Sequence, residues 1–287
     1  IYNWLADMKA ERKDFIISMG GGVAGDIIGF AASTYLRGIP FIQIPTTLAS
    51  MTDAAIGGKV AYNLPEGKNL VGSFYQPKLV FEDLDFLGSL PDREKTSGWA
   101  EAIKHSLIQD LELFLEFEKN QEKIYKLNND YSAEILKRSV AIKAKIVSED
   151  EFERGDERIK LNYGHTVGHA IEKISNYNQY LHGEAVSIGM MAAANISMRK
   201  GYINKEIVDR QENILKAYNL PVKVENIDIK NIALFLDSDF HHVIYPVNPN
   251  GDLNFIAIMK YQLSIEEQKN YSLFSDNLFI KKILDKL

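Results

Sequence analysis

The sequence has 287 residues, enough for one large domain or two ordinary ones. Apolar residues make up 46% and charged residues 25%, as in a globular protein that buries a core. The net charge of −6 argues against a general nucleic-acid-binding protein, and the absence of cysteine excludes disulfides, thiolate metal sites and a cysteine nucleophile. No apolar run approaches the roughly 18 residues of a membrane helix, and no secretion signal is present, so a cytoplasmic protein without membrane partners is expected.

The first 90 residues alternate short apolar runs with glycine-rich turns. The spacing predicts a helix over 1–12, in which Leu5 and Met8 share a face, and a second helix over 27–38. Strands are predicted at 15–19, 41–45 and 78–83. This alternation is typical of parallel α/β structure and predicts an α/β domain over residues 1–90. Because the chain opens without Met on a helix that leads into a strand, we expect an upstream strand to be missing.

From residue 91 onward, apolar residues follow the 3.6-residue period of helices, with abundant Glu and Lys. The pattern therefore predicts a mainly helical second domain over residues 91–287. The helical segments are 92–127, 131–151, 164–175 and 183–201, and a strand fits 253–259.

Two glycine- and threonine-containing segments stand at predicted strand ends. Residues 20–26, GGGVAGD, lie between a strand and a helix, where backbone N–H groups and the helix dipole favour an anion. The spacing is not the usual dinucleotide motif, so a simple tight turn explains it too. Thr46 and Thr47 follow Pro45 at the end of the next strand, where open α/β sheets bind ligands.

Two Gly-Lys pairs lie close together after Asp53. Gly57-Gly58-Lys59 and Gly67-Lys68-Asn69 favour a loop around phosphate, because glycine permits close approach and lysine supplies charge. A hairpin with solvated lysines is the alternative.

Three of the six histidines fall within one short stretch. His165 and His169 are four residues apart and share a face if the segment is helical, and His182 stands at a predicted helix start. Such histidines near a carboxylate suit a catalytic zinc site with an open position. The spacing leaves open whether both His165 and His169 bind metal, only one does, or all are hydrogen-bonded core residues.

Several other polar residues lie on predicted helices. Glu101 and Lys104 form an i,i+3 pair whose default interpretation is a surface salt bridge. Arg158 and Asn162 precede His165 along a helical approach and are expected to face the same cavity. We interpret the pair at 241–242, His-His, as surface.

The order of these motifs along the chain identifies a protein family more specifically than any single motif does. From about Ile16 to Gly201 the chain resembles the 3-dehydroquinate synthase family of sugar phosphate cyclases. The motifs that carry the resemblance are GGGVAGD, YLRGIPFIQIPTTL, DAAIGGKVAYN, GKNLVGSFYQP, LPDRE, GWAEAIK, KAKIV, LNYGHTVGH and HGEAV.

The resemblance implies site residues one by one. The metal ligands implied are Glu101, His165 and His182, which leaves His169 facing the substrate phosphate. The NAD contacts implied are Gly21, Gly22, Val23, Ala24, Gly25, Asp26, Thr46, Thr47, Lys59, Lys68, Phe86, Leu87, Gly88 and Ser89. The other substrate contacts implied are Asp53, Lys59, Asn69, Lys104, Lys143, Arg158 and Asn162, and Arg37 matches an arginine that reaches the partner subunit's phosphate site.

The resemblance also implies a reaction. The family is a homodimer that uses NAD and a divalent metal, zinc or cobalt, on a heptulosonate phosphate. NAD oxidises a ring hydroxyl, the ketone acidifies the neighbouring C–H, phosphate leaves, the alcohol is restored, and the opened ring closes by aldol addition. The phosphate itself can act as the base.

The sequence departs from the family pattern in several places. The upstream stretch that contacts the adenosine half of NAD is absent, Ala54-Ala55 replace a common Ser-Ser, and 153–158 is one residue longer than usual. The late Asp-Lys-Lys element has no counterpart in 236–246, where His241 or His242 is a candidate replacement. Alternatives are therefore a sister cyclase, a metal-dependent polyol dehydrogenase, or an inactive fragment.

Overall fold

The structure, a computed structural model, describes residues 1–65, 67–127, 130–155 and 157–225, and the backbone of 241–246 and 256–261. The chain divides into two compact units. One comprises Ile1–Ala102 with Glu122–Arg154, and the other Ile103–Gln121 with Gly155–Leu287. The predicted domain boundary at residue 90 stays a prediction. None of the described helices is both long and apolar enough to cross a membrane.

The elements alternate early in the chain and are mainly helical later. The first seven are α1 (Tyr2–Asp7), β1 (Ile16–Gly20), α2 (Gly22–Thr34), β2 (Phe41–Pro45), β3 (Lys59–Leu64), β4 (Gly67–Phe74) and β5 (Leu79–Val80). The helices that follow are α3 (Asp92–Gln109), α4 (Leu111–Lys119), α5 (Gln121–Tyr125), α6 (Asp130–Glu149), α7 (His165–Ile174), α8 (His182–Arg199) and α9 (Lys205–Ala217). Strands β6 (His241–Pro246) and β7 (Ile256–Tyr261) form an antiparallel pair.

The first unit contains the predicted parallel sheet. Strand order is β1-β2-β5, and both described pairings are parallel. Helix α2 packs closely on β2, because a Cβ added at Gly25 would lie 2.1 Å from Gln43 Nε2. The buried core beneath it comprises Leu5, Ile16, Ala32, Ile39, Phe41 and Val60.

The first two helices differ from their predicted bounds. Helix α1 ends at Asp7, followed by Lys9 at φ 52°, so it stops well before residue 12. Met8 is the residue after the helix and is 66% exposed, whereas Leu5 is buried. Helix α2 begins at Gly22, so the glycine-rich motif forms its first turn rather than a separate loop.

The Gly-Lys segments form the hairpin alternative rather than an irregular loop. Strands β3 and β4 pair antiparallel, from Lys59 opposite Phe74 to Leu64 opposite Gly67. Lys59 therefore lies within the ladder, whereas Lys68 and Asn69 lie on β4 where the register is interrupted, and Asn69 has φ 58°.

The second unit is built around the contact of α7 with α8. Gly164, which precedes α7, has φ 82°, a conformation that residues with a side chain rarely adopt. A Cβ added at Gly189 of α8 would lie 1.9 Å from the Gly164 carbonyl oxygen, so the two backbones meet directly. Val167, Ala170, Ile171, Ala185, Ile188 and Ala192 form the buried cluster along this contact.

Candidate active site

Three imidazoles meet at the starts of α7 and α8. The ring centroid of His165 lies 5.3 Å from those of His169 and His182, and the latter two are 5.9 Å apart. The left-handed Gly164 starts α7 at His165, and four residues of helix bring His169 to the same side. Because α8 starts at His182, the helix contact brings the third ring to the first two.

A carboxylate that the sequence interpretation missed lies beside these rings. Glu172 Oε2 is 3.2 Å from His182 Nδ1 and 4.0 Å from His169 Nε2, and the glutamate side chain is only 5% exposed. The signal was available, since Glu172 follows His169 by three residues on the face that carries both histidines of α7. His165 Nδ1 is 3.3 Å from the Tyr163 carbonyl oxygen.

The ends of β1 and β2 lie side by side in the first unit. Thr46 N–H donates to the Gly20 carbonyl oxygen at 2.9 Å, joining the two strand ends. The Thr47 backbone N–H and Oγ1 both donate to Ser50 Oγ. The N-terminus of α2 begins at this edge and carries no acidic residue in its first turn, so its N–H groups suit an anion.

Two of the expected substrate contacts pair with each other. Lys143 of α6 is buried, and its Nζ lies 2.6 Å from Asp53 Oδ1 and also donates to the Asp53 carbonyl oxygen. Asp53 lies in a single π-helical turn, Ser50–Ala54. Burial and the Asp53 carboxylate raise the pKa of Asp26 to about 6. Asp26, Asp53 and Lys143 therefore lie close together in the first unit.

The hairpin carries three expected contacts in exposed positions. Lys59 Nζ is 2.6 Å from Glu153 Oε2, and the lysine side chain is 53% exposed. Lys68 and Asn69 are exposed, and Asn69 N–H donates to Asn63 Oδ1 at 2.9 Å. These lysines are accessible to an anion, but Lys59 already holds a carboxylate.

The expected surface pair on α3 is buried. Glu101 and Lys104 are 0% and 1% exposed, so the surface salt-bridge interpretation was wrong. The i,i+3 spacing misled because this part of α3 is buried on every face: Trp99, Ala102 and Ile103, the neighbours of the pair in sequence, are fully buried too.

Arg158 and Asn162 are placed by a separate turn. They lie in a 3-10 helix, Arg158–Asn162, and Arg158 is buried. This turn ends before Gly164, whose φ of 82° separates it from α7. The four-residue spacing between Arg158 and Asn162 therefore does not continue into a shared helical face with His165.

The remaining expected contacts lie in two short segments. Arg37 is exposed and has φ 68°, next to Leu36 at φ 50°. Phe86, Leu87, Gly88 and Ser89 lie in a 3-10 helix, Leu84–Ser89, in which Leu87 is buried. Strand β6 carries His241 and His242, whose side chains lie outside the described part of the structure.

A further acid lies at the carboxyl edge of the sheet, just after β5. Glu82 Oε1 is buried, with no hydrogen-bond partner in the described part of the chain. Burial raises the pKa of Glu82 from 4.5 to about 7.

This pKa predicts a pH-dependent effect of Glu82→Gln on stability. The folded protein holds the proton to higher pH than the unfolded chain, so the stability from this group is lost as pH rises from 4.5 to about 7. Near pH 4.5 the variant and the parent protein should have the same melting temperature. Above about pH 7 the variant should have the higher melting temperature. Asp85→Asn, an exposed acid in the next turn, is the control and should show no such trend. An equal shift at both pH values would contradict the prediction.

Comparison with known proteins decides the family. A family description, 3-dehydroquinate synthase N-terminal, matches residues 1–97, and its counterpart, 3-dehydroquinate synthase C-terminal, matches residues 98–242. The chain belongs to the 3-dehydroquinate synthase family. This confirms the resemblance found in the sequence.

Two curated 3-dehydroquinate synthases illustrate the relationship. The one from Prochlorococcus marinus (strain MIT 9312) is 48% identical over 241 residues, which are 83% of this chain and 66% of the relative. The one from Thermodesulfovibrio yellowstonii (strain ATCC 51303 / DSM 11347 / YP87) is 50% identical over 224 residues, 78% of this chain and 62% of the relative. The chain thus spans about two-thirds of the length of these 3-dehydroquinate synthases.

Solved structures have the same fold as this 3-dehydroquinate synthase family member. A 2-deoxy-scyllo-inosose synthase complexed with carbaglucose-6-phosphate, NAD+ and Co2+ matches with a TM-score of 0.80 and 26% identity, over 99% of this chain and 77% of that one. ValA, a 2-epi-5-epi-valiolone synthase from Streptomyces hygroscopicus subsp. jinggangensis 5008 with NAD+ and Zn2+ bound, matches with a TM-score of 0.78 and 24% identity, over 98% and 77%. The α/β and helical architecture predicted from the sequence is confirmed.

Proposed function

We propose that this protein converts 3-deoxy-D-arabino-heptulosonate 7-phosphate to 3-dehydroquinate and phosphate, with NAD and a divalent metal. The observation that carries the proposal is the imidazole cluster at the starts of α7 and α8, in a chain of this family. We further propose that it acts in the cytoplasm as a homodimer, in which Arg37 serves the partner subunit's phosphate site.

The donors available fit a metal of the zinc or cobalt type. His165 and His182 would supply two nitrogen ligands and Glu101 an oxygen ligand, a set that leaves a position open for substrate. A bound divalent metal polarises the hydroxyl group that is to be oxidised and lowers its pKa.

The edge of the parallel sheet fits NAD. Gly21 and Gly22 bring backbone N–H groups to the start of α2, where a pyrophosphate would be stabilised without repulsion from any first-turn carboxylate. Gly22 has little spare room, because a Cβ there would lie 3.3 Å from the Ala54 Cβ. NAD supplies the hydride acceptor for the oxidation and the hydride donor for the later reduction.

The charged side chains would bind and orient the substrate. Lys104, Lys143 and Arg158 would hold its carboxylate and phosphate, with Lys59 and Asn69 contributing from the hairpin. The ion pair with Asp53 already holds the Lys143 ammonium group in place, so this group needs little reorganisation when substrate binds. His169 would hold the leaving phosphate and move a proton to or from it.

A direct assay tests the proposal. Protein incubated with the heptulosonate phosphate, NAD and zinc should release phosphate and form 3-dehydroquinate in equal amounts, and a chelator should stop both. Release of phosphate from a hexose 6-phosphate instead would identify a sister cyclase. NAD reduction by a polyol without phosphate release would identify a dehydrogenase, and no reaction with any substrate would contradict an enzymatic role for this chain.

A further inference from the structure

Two histidines of the imidazole cluster have an oxygen opposite Nδ1. In His182 this oxygen is Glu172 Oε2, at 3.2 Å, and in His165 it is the Tyr163 carbonyl oxygen, at 3.3 Å. A carbonyl oxygen or an ionised carboxylate only accepts hydrogen bonds. In a neutral ring the hydrogen must therefore lie on Nδ1 for the contact to form, which leaves the lone pair on Nε2.

Glu172 is well placed to impose this arrangement on His182. Its side chain is 5% exposed, and it stands on α7, whose backbone meets α8 at Gly164 and Gly189. The helix contact fixes the distance between the two backbones, and the burial of the Glu172 side chain leaves it little room for other conformations.

We propose that Glu172 is a positioning residue that holds His182 in the Nδ1–H tautomer, so that Nε2 is presented to the metal. This inference rests on the proposed function in one respect only, namely that His182 is a metal ligand. Metal-binding histidines commonly donate their second ring N–H to a carboxylate or carbonyl, and the loss of such a partner weakens metal binding by about 10–100-fold.

A different role for Glu172 must be separated from this one. Glu172, His169 and His182 each offer a ligand atom, and these atoms lie within 4.8 Å of one another, so Glu172 could itself be a ligand. The two roles differ at the ring of His182. As a positioning residue, Glu172 leaves Nδ1 protonated when metal binds at Nε2. If Glu172 were a ligand, the metal would lie between its carboxylate and Nδ1 of His182. The ring proton of His182 would then be on Nε2.

Nitrogen-15 NMR of the histidine rings tests the proposal in the metal-free and zinc-loaded protein, with signals assigned from a His182→Gln spectrum. We expect His182 to carry its proton on Nδ1 in both states. A proton on Nε2 in either state would overturn the proposal.

Variants of Glu172 provide the second measurement. In Glu172→Ala the metal-free His182 should lose its preference for the Nδ1–H tautomer, and zinc affinity measured by chelator competition should fall about 10–100-fold. Unchanged affinity, or an affinity loss with the tautomer unchanged, would overturn the proposal. If Glu172→Ala does not fold, Glu172→Leu takes its place, because leucine is similar in size and offers no hydrogen-bond acceptor. Retention of the Nδ1–H tautomer by His182 in that variant would overturn the proposal.

Glu184→Gln is the matched control. Glu184 is also buried, on the same helix as His182, and its Oε2 accepts a hydrogen bond from the Leu181 N–H. Its amide keeps that acceptor, so the tautomer and the zinc affinity should stay as in the parent protein. Neither NMR nor zinc competition requires turnover, so failure of the catalytic proposal leaves these results interpretable.

Discussion

Replacing His169 by alanine should lower phosphate release by about 10²–10⁴-fold and leave metal content and NAD affinity unchanged. The side chain of His169 is 60% exposed, so its removal leaves the packing of α7 intact. Its ring is within 6 Å of the other two centroids, close enough to act on a substrate group held beside the metal. A neutral imidazole and its cation interconvert near neutral pH, which suits proton transfer to phosphate.

Three measurements on His169→Ala distinguish its roles. Phosphate release reports the reaction, metal analysis after dialysis reports coordination, and NAD titration reports the nucleotide site. Loss of the metal together with activity would make His169 a ligand. Retained activity would make it a structural residue.

Replacing Glu101 should remove the stoichiometric metal ion. Glu101 is fully buried on α3, and with no cysteine in the chain the third ligand must be an oxygen or nitrogen donor. Glu101→Gln keeps the volume but exchanges a charged ligand for a neutral amide, so dialysed protein should contain far less than one zinc per chain. Glu101→Ala should give the same result.

The control for Glu101 is again Glu184, a buried glutamate of α8. Glu184→Gln should retain one metal per chain, because Glu184 hydrogen-bonds to the backbone of Leu181. Full retention of zinc by both Glu101 variants would contradict the assignment of Glu101 as a ligand.

Much of the fold was predictable from local patterns. Alternating apolar strands and glycine turns gave the parallel sheet, since the strand period and the turn residues are both local properties of the chain. The end of α1 was not predictable in this way, because it depends on Lys9 adopting a positive φ. The close packing of α2 on β2 was not predictable either, because it depends on a contact between Gly25 and Gln43, which are distant in sequence.

The candidate site was predictable in its residue types and less so in its geometry. The spacing of His165 and His169 correctly placed two rings on one face, and His182 lies at the start of α8, as predicted. Burial of Glu101 could not be read from its sequence neighbours, because it depends on which elements surround α3. Glu172 was missed because one carboxylate at helical spacing is usually a solvated surface residue.

The backbone contact between Gly164 and Gly189 has a consequence for how the protein folds. Helices α7 and α8 are consecutive in the chain, so closing the segment between them requires little loss of chain entropy. Contacts between near neighbours in sequence form faster on average than pairings between distant strands. The histidine cluster is therefore expected to assemble early, which would let zinc stabilise this part of the chain before the rest of its unit is complete.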